Sequence, residues 1–367
     1  MTKRDYRRES LKSFKPYVVG KPIEEVRREL GLEGRIAKLA SNENPLGVSP
    51  KALKAIRDNA DQVCFYPDDN HYYFKKCVAD QYEVGMDQVY VASGSVEVIE
   101  VIGATFLEPG DEVLTSQSTF AMYALGAKKA GATFIPVPMK DRYYYDLDAM
   151  VAAITPHTKV IFLANPNNPT GTWFDGRQFD AFMDKVPEGV LVIYDSAYCD
   201  FFTCPDKPDP MKHLRAGRDI MLLHTFSKTY GLAGLRIGFA LGPAMVISHL
   251  NLGRVPFNAS VLAQVAAIAA LDDHDFVTRT LSFTKQELAF IIEGLAGLDV
   301  IIPPTQTNFI LIDTRKDGQW LFLELQKRGI IVRPMGGYGF PNAVRVNVGL
   351  REDNERFVAA MQDLLAV

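Results

Sequence analysis

Short runs of β-branched and apolar residues alternate with longer amphipathic stretches from about residue 88 onward. The run QVYVAS is followed by VEVIEVIGATFL, DEVLTS, FAMYALGAKKAG and TFIPVP. This alternation is typical of βαβ units, in which helices connect the strands of a layered α/β fold. The runs at 158–165, 189–195, 219–225 and 236–241 continue the rhythm, and most are apolar throughout. Such strands are buried on both faces, so the pattern predicts an α/β fold with a mostly parallel sheet flanked by helices.

The pattern changes after residue 260. Two long helical patterns, LAQVAAIAALDD and FVTRTLSFTKQELAFIIEGL, precede shorter strand-like runs and a closing helical pattern in EDNERFVAAMQDLL. This predicts a second, smaller α/β domain. We expect an N-terminal arm and part of the small domain in residues 1–45, a large domain in 46–260 and the small C-terminal domain in 261–367. The arm would pack on the small domain or on a partner subunit.

Composition and charge narrow the class of protein. The chain has 367 residues, of which 47% are hydrophobic and 23% charged, so it can bury a large core. The net charge of −4 and the lack of Lys/Arg runs interleaved with aromatics argue against nucleic-acid binding. The polar N-terminus and the lack of a long apolar stretch predict a cytoplasmic protein that does not contact the membrane. Without CxxC or paired His spacing, we expect no metal, and free thiols at Cys64, Cys77, Cys199 and Cys204.

Residues that follow the predicted strands are candidates for a ligand site, because open parallel sheets bind ligands beyond the carboxyl ends of their strands. Ser95 and Val96 come after QVYVA and open a helix, whose N–H groups and positive end could face an anion. A Gly-Ser turn with an ordinary Ser cap explains the same letters. Asn168, in the NPNNPTG stretch after VIFLA, could donate from its amide, although a plain turn is the alternative.

Two further strand ends carry a carboxylate and an amine. Asp195 follows VLVIY and could hold a cationic ring nitrogen, while Tyr198 could reach a ring oxygen. The alternative is a helix N-cap aspartate. Lys228 follows IMLLH, flanked by Thr225 and Ser227, and is either a reactive amine or a side chain that extends to solvent.

Taken together, these strand ends predict a site for pyridoxal phosphate. Lys228 would bond to the cofactor aldehyde, and Asp195 would keep the pyridine nitrogen protonated. Arg236, eight residues beyond the lysine, would pair with the phosphate through its planar fork.

Motifs spread over nearly the whole chain carry a family resemblance. They include LASNENPLGVSPKAL, SGSVEVIE, STFAMY, NPNNPTGT, YDSAY, TFSKTYGLAGLRIG and AVRVNVG. The sequence resembles the fold-type I pyridoxal-phosphate aminotransferases, and within them the histidinol-phosphate aminotransferases. The resemblance implies that Phe120 stacks on the cofactor ring and that Tyr66 reaches the phosphate of the neighbouring subunit's cofactor in a homodimer. It also implies that Arg345 binds the substrate carboxylate, and that Tyr17 and Arg333 contact the substrate's distal phosphate.

The activity implied by the resemblance is a reversible, ping-pong amino transfer in histidine biosynthesis, with Lys228 moving the proton. The amino donor would be histidinol phosphate, and 2-oxoglutarate and glutamate would form the second pair of substrates. Candidate cofactor-binding residues are Ser95, Val96, Phe120, Asn168, Asp195, Tyr198, Thr225, Ser227, Lys228, Arg236 and Tyr66; candidate substrate-binding residues are Tyr17, Asn168, Arg333 and Arg345. The family usually has Glu in place of Ser196 and commonly an acidic residue in place of Val96. Because of these departures, the resemblance does not determine which substrate the enzyme uses.

Three other functions fit the same residues. An aromatic amino-acid aminotransferase would share the scaffold, because Arg345 could bind either carboxylate. A related decarboxylase of phosphorylated amino acids would look similar at the cofactor. A catalytically silent ligand-binding protein is the third, although such a protein would not need the amine of Lys228. The loop 254–258 is a further candidate for a subunit-crossing segment, with a simple connection between helices as the alternative.

Overall fold

The computed structural model describes residues 5–12, 20 and 22–366. The α-helices in this part of the chain are α1 Ile23–Leu30, α2 Pro50–Asp58, α3 Tyr72–Tyr82, α4 Ser95–Phe106, α5 Met122–Ala130, α6 Leu147–Ala152, α7 Gly176–Met183, α8 Pro210–Arg215, α9 Ala244–Gly253, α10 Val261–Leu271, α11 His274–Gly294, α12 Gly318–Lys327 and α13 Arg351–Leu365. The strands are β1 Ala37–Lys38, β2 Val89–Ala92, β3 Glu112–Ser116, β4 Thr133–Val137, β5 Thr158–Ala164, β6 Leu191–Asp195, β7 Ile220–Thr225, β8 Gly238–Leu241, β9 Phe309–Asp313, β10 Ile330–Ile331, β11 Arg333–Pro334 and β12 Ala343–Asn347.

The central sheet has seven strands in the order β2-β8-β7-β6-β5-β3-β4. Strands β3 to β7 pair in parallel, whereas β8 runs antiparallel to both of its neighbours. The predicted mostly parallel α/β sheet is therefore confirmed. Strand β8, expected to continue the parallel rhythm, reverses because a parallel neighbour would need a crossover connection. The segment between β7 and β8 has only a short 3-10 helix, Ala233–Leu235.

Both faces of this sheet are covered, as the uninterrupted apolar runs predict. Ile161 and Leu163 of β5 point into one apolar core, while Val160 and Phe162 of the same strand point into the other. Helices of the two faces complete these cores, so the strands present polar groups mainly at their ends.

A smaller group of strands lies apart from the central sheet. Strands β11, β12 and β9 form an antiparallel sheet, and β1 pairs in parallel with β10. The pairing of Ala37 with Ile330 attaches the N-terminal segment to the C-terminal strands. Helix α10 packs its alanine face, which includes Ala266, into a core of the large sheet. The domain boundaries at 45/46 and 260/261 stay predictions.

Several sequence expectations concern groups elsewhere in the fold. Cys64, Cys77, Cys199 and Cys204 are free cysteines, as predicted. Within residues 5–12, 20 and 22–366, no group of three or more His, Cys, Asp or Glu side chains could hold a metal ion. In the same ranges, none of the helices has both the length and the apolar character needed to cross a membrane.

Candidate active site

A cavity of about 380 Å³ opens where β5, β6 and β7 of the central sheet end. The structure brings the following predicted residues together in its wall: Ser95, Val96, Phe120, Asn168, Asp195, Tyr198, Thr225, Ser227, Lys228, Arg236, Arg333 and Arg345. Residues from the N-terminal segment, among them Ser41 and Asn42, complete the wall. The cavity therefore lies where the central sheet, the small sheet and the N-terminal segment meet.

Lys228 presents its amine inside this cavity. Its Nζ donates a hydrogen bond of 3.2 Å to the carbonyl oxygen of Ser41 and lies 5.8 Å from the centre of the Tyr198 ring. Burial, together with the positive charges of Arg345 and Arg236, lowers the pKa of Lys228 to about 7. A substantial fraction of this amine is thus neutral near pH 7, which suits a nucleophile and a proton carrier rather than a surface charge.

Asp195 is a buried carboxylate at the end of β6. Its Oδ2 accepts a hydrogen bond of 2.6 Å from the Tyr123 hydroxyl, and its Oδ1 accepts one of 3.0 Å from the Ala197 N–H. Burial raises the pKa of Asp195, and these two bonds oppose that rise. The carboxylate is therefore placed to hold a cation that enters the cavity, because a cation would compensate for its desolvation.

The hydroxyl of Tyr198 is oriented by a residue from the N-terminal segment. Asn42 Nδ2 donates a hydrogen bond of 2.8 Å to the Tyr198 oxygen. Asn42 has a positive φ of 56° and is held through its main chain, which bonds to Asn347 and Asn308. This bond therefore fixes the position of the Tyr198 oxygen in the cavity.

An anion cradle forms at the start of α4. Gly94 has a φ of +81°, and a Cβ at this position would lie 2.3 Å from Nη2 of Arg236. The Arg236 guanidinium also donates a hydrogen bond of 3.3 Å to the Ser227 hydroxyl. The same hydroxyl accepts a hydrogen bond of 3.0 Å from the Thr225 hydroxyl. Hydroxyls, a guanidinium and the N-terminus of a helix of 12 residues thus converge where an anion can bind.

Two arginines face the cavity from the small sheet. Arg333 of β11 and Arg345 of β12 are direct partners across the antiparallel pair, so their side chains leave the same face. Arg345 donates through Nη1 to the Asn168 side-chain oxygen and through Nη2 to the Ala40 carbonyl at 2.8 Å. Two guanidinium groups on one face of a sheet at the cavity are the kind of group that binds carboxylates and phosphates.

Phe120 lies half-buried in the cavity wall, with its ring edge to face with Tyr123 at 5.7 Å. Tyr66 is not part of the wall. Its side chain is 81% exposed and stacks on Phe257 with ring centroids 4.7 Å apart. Tyr17 lies outside the described residues.

Sequence reasoning missed several residues of the site. Tyr123 stands in the STFAMY motif and Ser41, Asn42 and Glu43 in LASNENPLG, motifs that carry the family resemblance without indicating a role for these residues. Gly20, from the N-terminal segment, is also in the wall. The signal was weak because these residues do not follow a predicted strand, so only the tertiary fold places them at the sheet end.

Comparisons with known proteins agree over nearly the full length of the chain. Residues 35–361 match the family described as aminotransferase class I and II. A histidinol-phosphate aminotransferase of Anaeromyxobacter sp. (strain Fw109-5) is 44% identical over 354 residues, which cover 96% of this chain and 97% of that protein. One from Moorella thermoacetica is 41% identical over 98% of this chain and 93% of its own length.

A solved structure has the same fold. The crystal structure of histidinol-phosphate aminotransferase from Sinorhizobium meliloti in complex with pyridoxal-5'-phosphate superposes with a TM-score of 0.91 at 26% identity, covering 99% of this chain and 98% of that one. Sequence relatives and a solved structure thus point to the same family. The chain belongs to the aminotransferase class I and II family.

Proposed function

We propose that this aminotransferase uses pyridoxal phosphate to move an amino group between histidinol phosphate and 2-oxoglutarate in a ping-pong cycle of histidine biosynthesis. The expectation of a fold-type I aminotransferase is confirmed by the family match over residues 35–361. The names of the relatives support histidinol phosphate as the donor. The observation that carries the substrate proposal is the facing pair Arg333 and Arg345 at the cavity.

The residues of the cavity fit pyridoxal phosphate. Its phosphate would bind at the start of α4, where the lack of a side chain at Gly94 makes room for the Arg236 guanidinium. Asp195 would hold the ring nitrogen, since this buried carboxylate needs a cation to offset its desolvation. Tyr198 and Asn168 would donate to the ring oxygen, and Phe120 would cover one ring face.

When bound, pyridoxal phosphate supplies an aldehyde that carries the amino group and a ring that accepts electrons. Lys228 would hold the aldehyde and, once displaced by the donor amine, would take and return the proton at the donor's amine-bearing carbon. The pKa of about 7 for Lys228 matches both directions of this transfer near neutral pH. The hydrogen bond to the Ser41 carbonyl fixes the direction in which the amine points.

The two arginines divide the anionic groups of the substrates. Arg345, anchored to Asn168 and the Ala40 carbonyl, would bind a carboxylate of glutamate or 2-oxoglutarate near Lys228. Arg333, from the neighbouring strand, would bind the phosphate of histidinol phosphate. Guanidinium groups suit both tasks because their planar fork matches carboxylate and phosphate oxygens.

A homodimer is part of the proposal. Tyr66 and Phe257 form an exposed aromatic stack outside the cavity wall, and Val63, Phe65, Leu252 and Val255 are exposed apolar side chains of the two segments that carry this stack. A second copy of the chain would cover these side chains and receive Tyr66 at its cofactor phosphate, with the loop 254–258 crossing the interface. We also place the enzyme in the cytoplasm, in keeping with its free cysteines.

A panel of amino donors with 2-oxoglutarate as acceptor tests the substrate proposal. We expect the highest kcat/KM for histidinol phosphate, with histidinol as the matched donor that lacks only the phosphate. Equal values for these two donors would contradict a phosphate contact, and a preference for phenylalanine would favour the aromatic aminotransferase. Release of carbon dioxide from a phosphorylated amino acid without glutamate formation would favour the decarboxylase.

A further inference from the structure

A chain of hydrogen bonds runs from the anion cradle to the exposed aromatic stack. It begins at the turn Ser93–Ser95, where the Ser93 N–H donates to Oε2 of Glu97. The other oxygen of this carboxylate, Oε1, accepts a hydrogen bond of 2.8 Å from Asn258 Nδ2. Asn258 Nδ2 also donates a hydrogen bond of 3.0 Å to the carbonyl oxygen of Val91 in β2. One amide thus links the strand before the cradle to the helix after it.

The chain continues through an arginine. Arg254 Nη1 donates a hydrogen bond of 3.0 Å to the side-chain oxygen of Asn258 and one of 2.7 Å to Oδ1 of Asp69. Arg254 Nη2 donates a hydrogen bond of 2.8 Å to Oδ2 of Asp69, which completes a bidentate ion pair. Only 12% of the Arg254 side chain is exposed, and its hydrogen bonds to Asp69, together with that from the Phe257 N–H, lower the pKa of Asp69 to about 2. The Arg254 guanidinium fixes the Asn258 amide in one orientation. The amide oxygen of Asn258 faces the Arg254 donor, and its amide nitrogen faces the acceptors on Val91 and Glu97.

The far end of the chain reaches Tyr66. Asp69 Oδ1 accepts a hydrogen bond of 2.5 Å from the N–H of Phe257, the residue whose ring stacks on Tyr66. Phe257 has a φ of +59°, a left-handed conformation that a non-glycine residue adopts only with support. The bond from its N–H to Asp69 supplies such support.

We propose that Glu97, Asn258, Arg254 and Asp69 form a positioning relay that fixes the phosphate-binding turn of one site and the Tyr66–Phe257 stack together. None of these four residues is in the wall of the cavity that holds Lys228, so they are positioning residues rather than catalytic ones. Glu97 occupies the Ser93 N–H, and the N–H groups of Ser95 and Val96, at the open end of α4, would be available to the anion. This inference rests on the proposed function, since it assigns the turn to the cofactor phosphate.

A comparison of two cofactor forms tests the relay without reference to turnover. The apoenzyme would be titrated with pyridoxal phosphate and with pyridoxal, which lacks the phosphate, and the absorbance of the Lys228 adduct followed for each. We expect Asn258→Ala to weaken the affinity for pyridoxal phosphate by about tenfold and that for pyridoxal by less than about twofold. Equal losses for both ligands, or no loss for either, would overturn the relay.

Asn354→Ala is the matched control. Asn354 also donates from Nδ2 to a glutamate, Glu287, and to a main-chain carbonyl, that of Gly349, but in the C-terminal part of the chain. Its loss should lower thermal stability while the ratio of the two affinities stays as in the wild type. A changed ratio in this variant would show that the ratio reports general destabilisation and would overturn the assignment.

A milder change keeps the test decisive if Asn258→Ala does not fold. Asp69→Asn preserves the shape of a partly exposed side chain but removes the charge that holds Arg254. We expect a smaller shift of the affinity ratio in the same direction, and an unchanged ratio would overturn the relay. A wild-type protein that forms no adduct at Lys228 with either ligand would instead contradict the proposed cofactor.

Discussion

The hydroxyl of Tyr123 donates a hydrogen bond of 2.6 Å to Oδ2 of Asp195 at the end of the central sheet. Burial raises the pKa of this carboxyl, and the bonds from Tyr123 and from the Ala197 N–H counteract the rise. Because the ionised carboxylate is the form that would hold a protonated ring nitrogen, Tyr123 helps to keep Asp195 in its working state.

Replacing Tyr123 with Phe should move the acid limb of the pH profile of kcat to higher pH, because the Asp195 pKa rises when a donor is lost. We expect kcat to fall by about tenfold at neutral pH, the effect of losing a hydrogen bond to a charged group. Tyr145→Phe is the control, since Tyr145 is also buried but donates its hydrogen bond to Thr119. An acid limb unchanged in Tyr123→Phe would show that the bond does not act on Asp195.

Removal of the buried amine should stabilise the apoenzyme. The pKa of Lys228 is lowered from 10.5 to about 7, so the folded protein binds fewer protons than the unfolded chain between these values. Its unfolding free energy then rises with pH over this range. Lys228→Met should be more stable than the wild type at pH 7, on the order of a few kcal/mol, with a difference that shrinks toward pH 10.5.

Thermal melts of both apoenzymes between pH 7 and 10 measure this difference. Lys285→Met, at an exposed position of α11, should change stability little at any pH. A difference between the Lys228 variant and the wild type that stays constant with pH would mean that the amine is not desolvated as the structure indicates.

The two arginines of the small sheet should separate the substrates. Arg333→Ala should lower kcat/KM for histidinol phosphate by about ten- to a hundredfold, the loss of a charge-assisted contact of about 1.5–3 kcal/mol, and affect phenylalanine far less. Arg345→Ala should damage the half-reaction with glutamate most. Steady-state kinetics with each donor measure both effects. Equal, small losses of kcat/KM for both donors in Arg333→Ala would show that Arg333 does not contact the substrate phosphate.

Mixed dimers test whether Tyr66 serves the partner's site. If Tyr66 serves the partner's site, Tyr66→Phe should weaken that site, and Lys228→Ala should abolish the site of its own chain. In a heterodimer of the two, the site that keeps Lys228 would receive an intact Tyr66 from the other chain, so mixing should raise activity above the sum of the separate variants. Mixing without any gain, or a fully active monomer in light scattering, would contradict the shared site.

The central sheet and most of the cavity could be predicted because they follow from local pattern. Apolar runs mark strands buried on both faces, and polar residues directly after such runs, such as Asp195 and Lys228, meet at one sheet edge. The direction of β8 could not be read in the same way. It depends on the lack of a crossover helix after Lys228, which the apolar pattern of the strand does not encode.

The remaining site residues depend on contacts that are distant in sequence. Asn42 reaches Tyr198 across 156 positions, and Asn258 reaches Glu97 across 161. Both are short polar side chains in segments that look like ordinary turns. Their importance appears only when the fold brings an acceptor or donor of the right kind within hydrogen-bonding distance.

The most direct test of the account is the attachment site of the cofactor. Protein loaded with pyridoxal phosphate would be reduced with sodium borohydride, digested and mapped by mass spectrometry, with Lys228→Ala as the control. We predict a yellow protein whose visible absorbance is lost on reduction, a single pyridoxyl group on Lys228, and neither label nor measurable amino transfer in the variant. A label on another lysine, or turnover that survives in Lys228→Ala, would contradict the central claim.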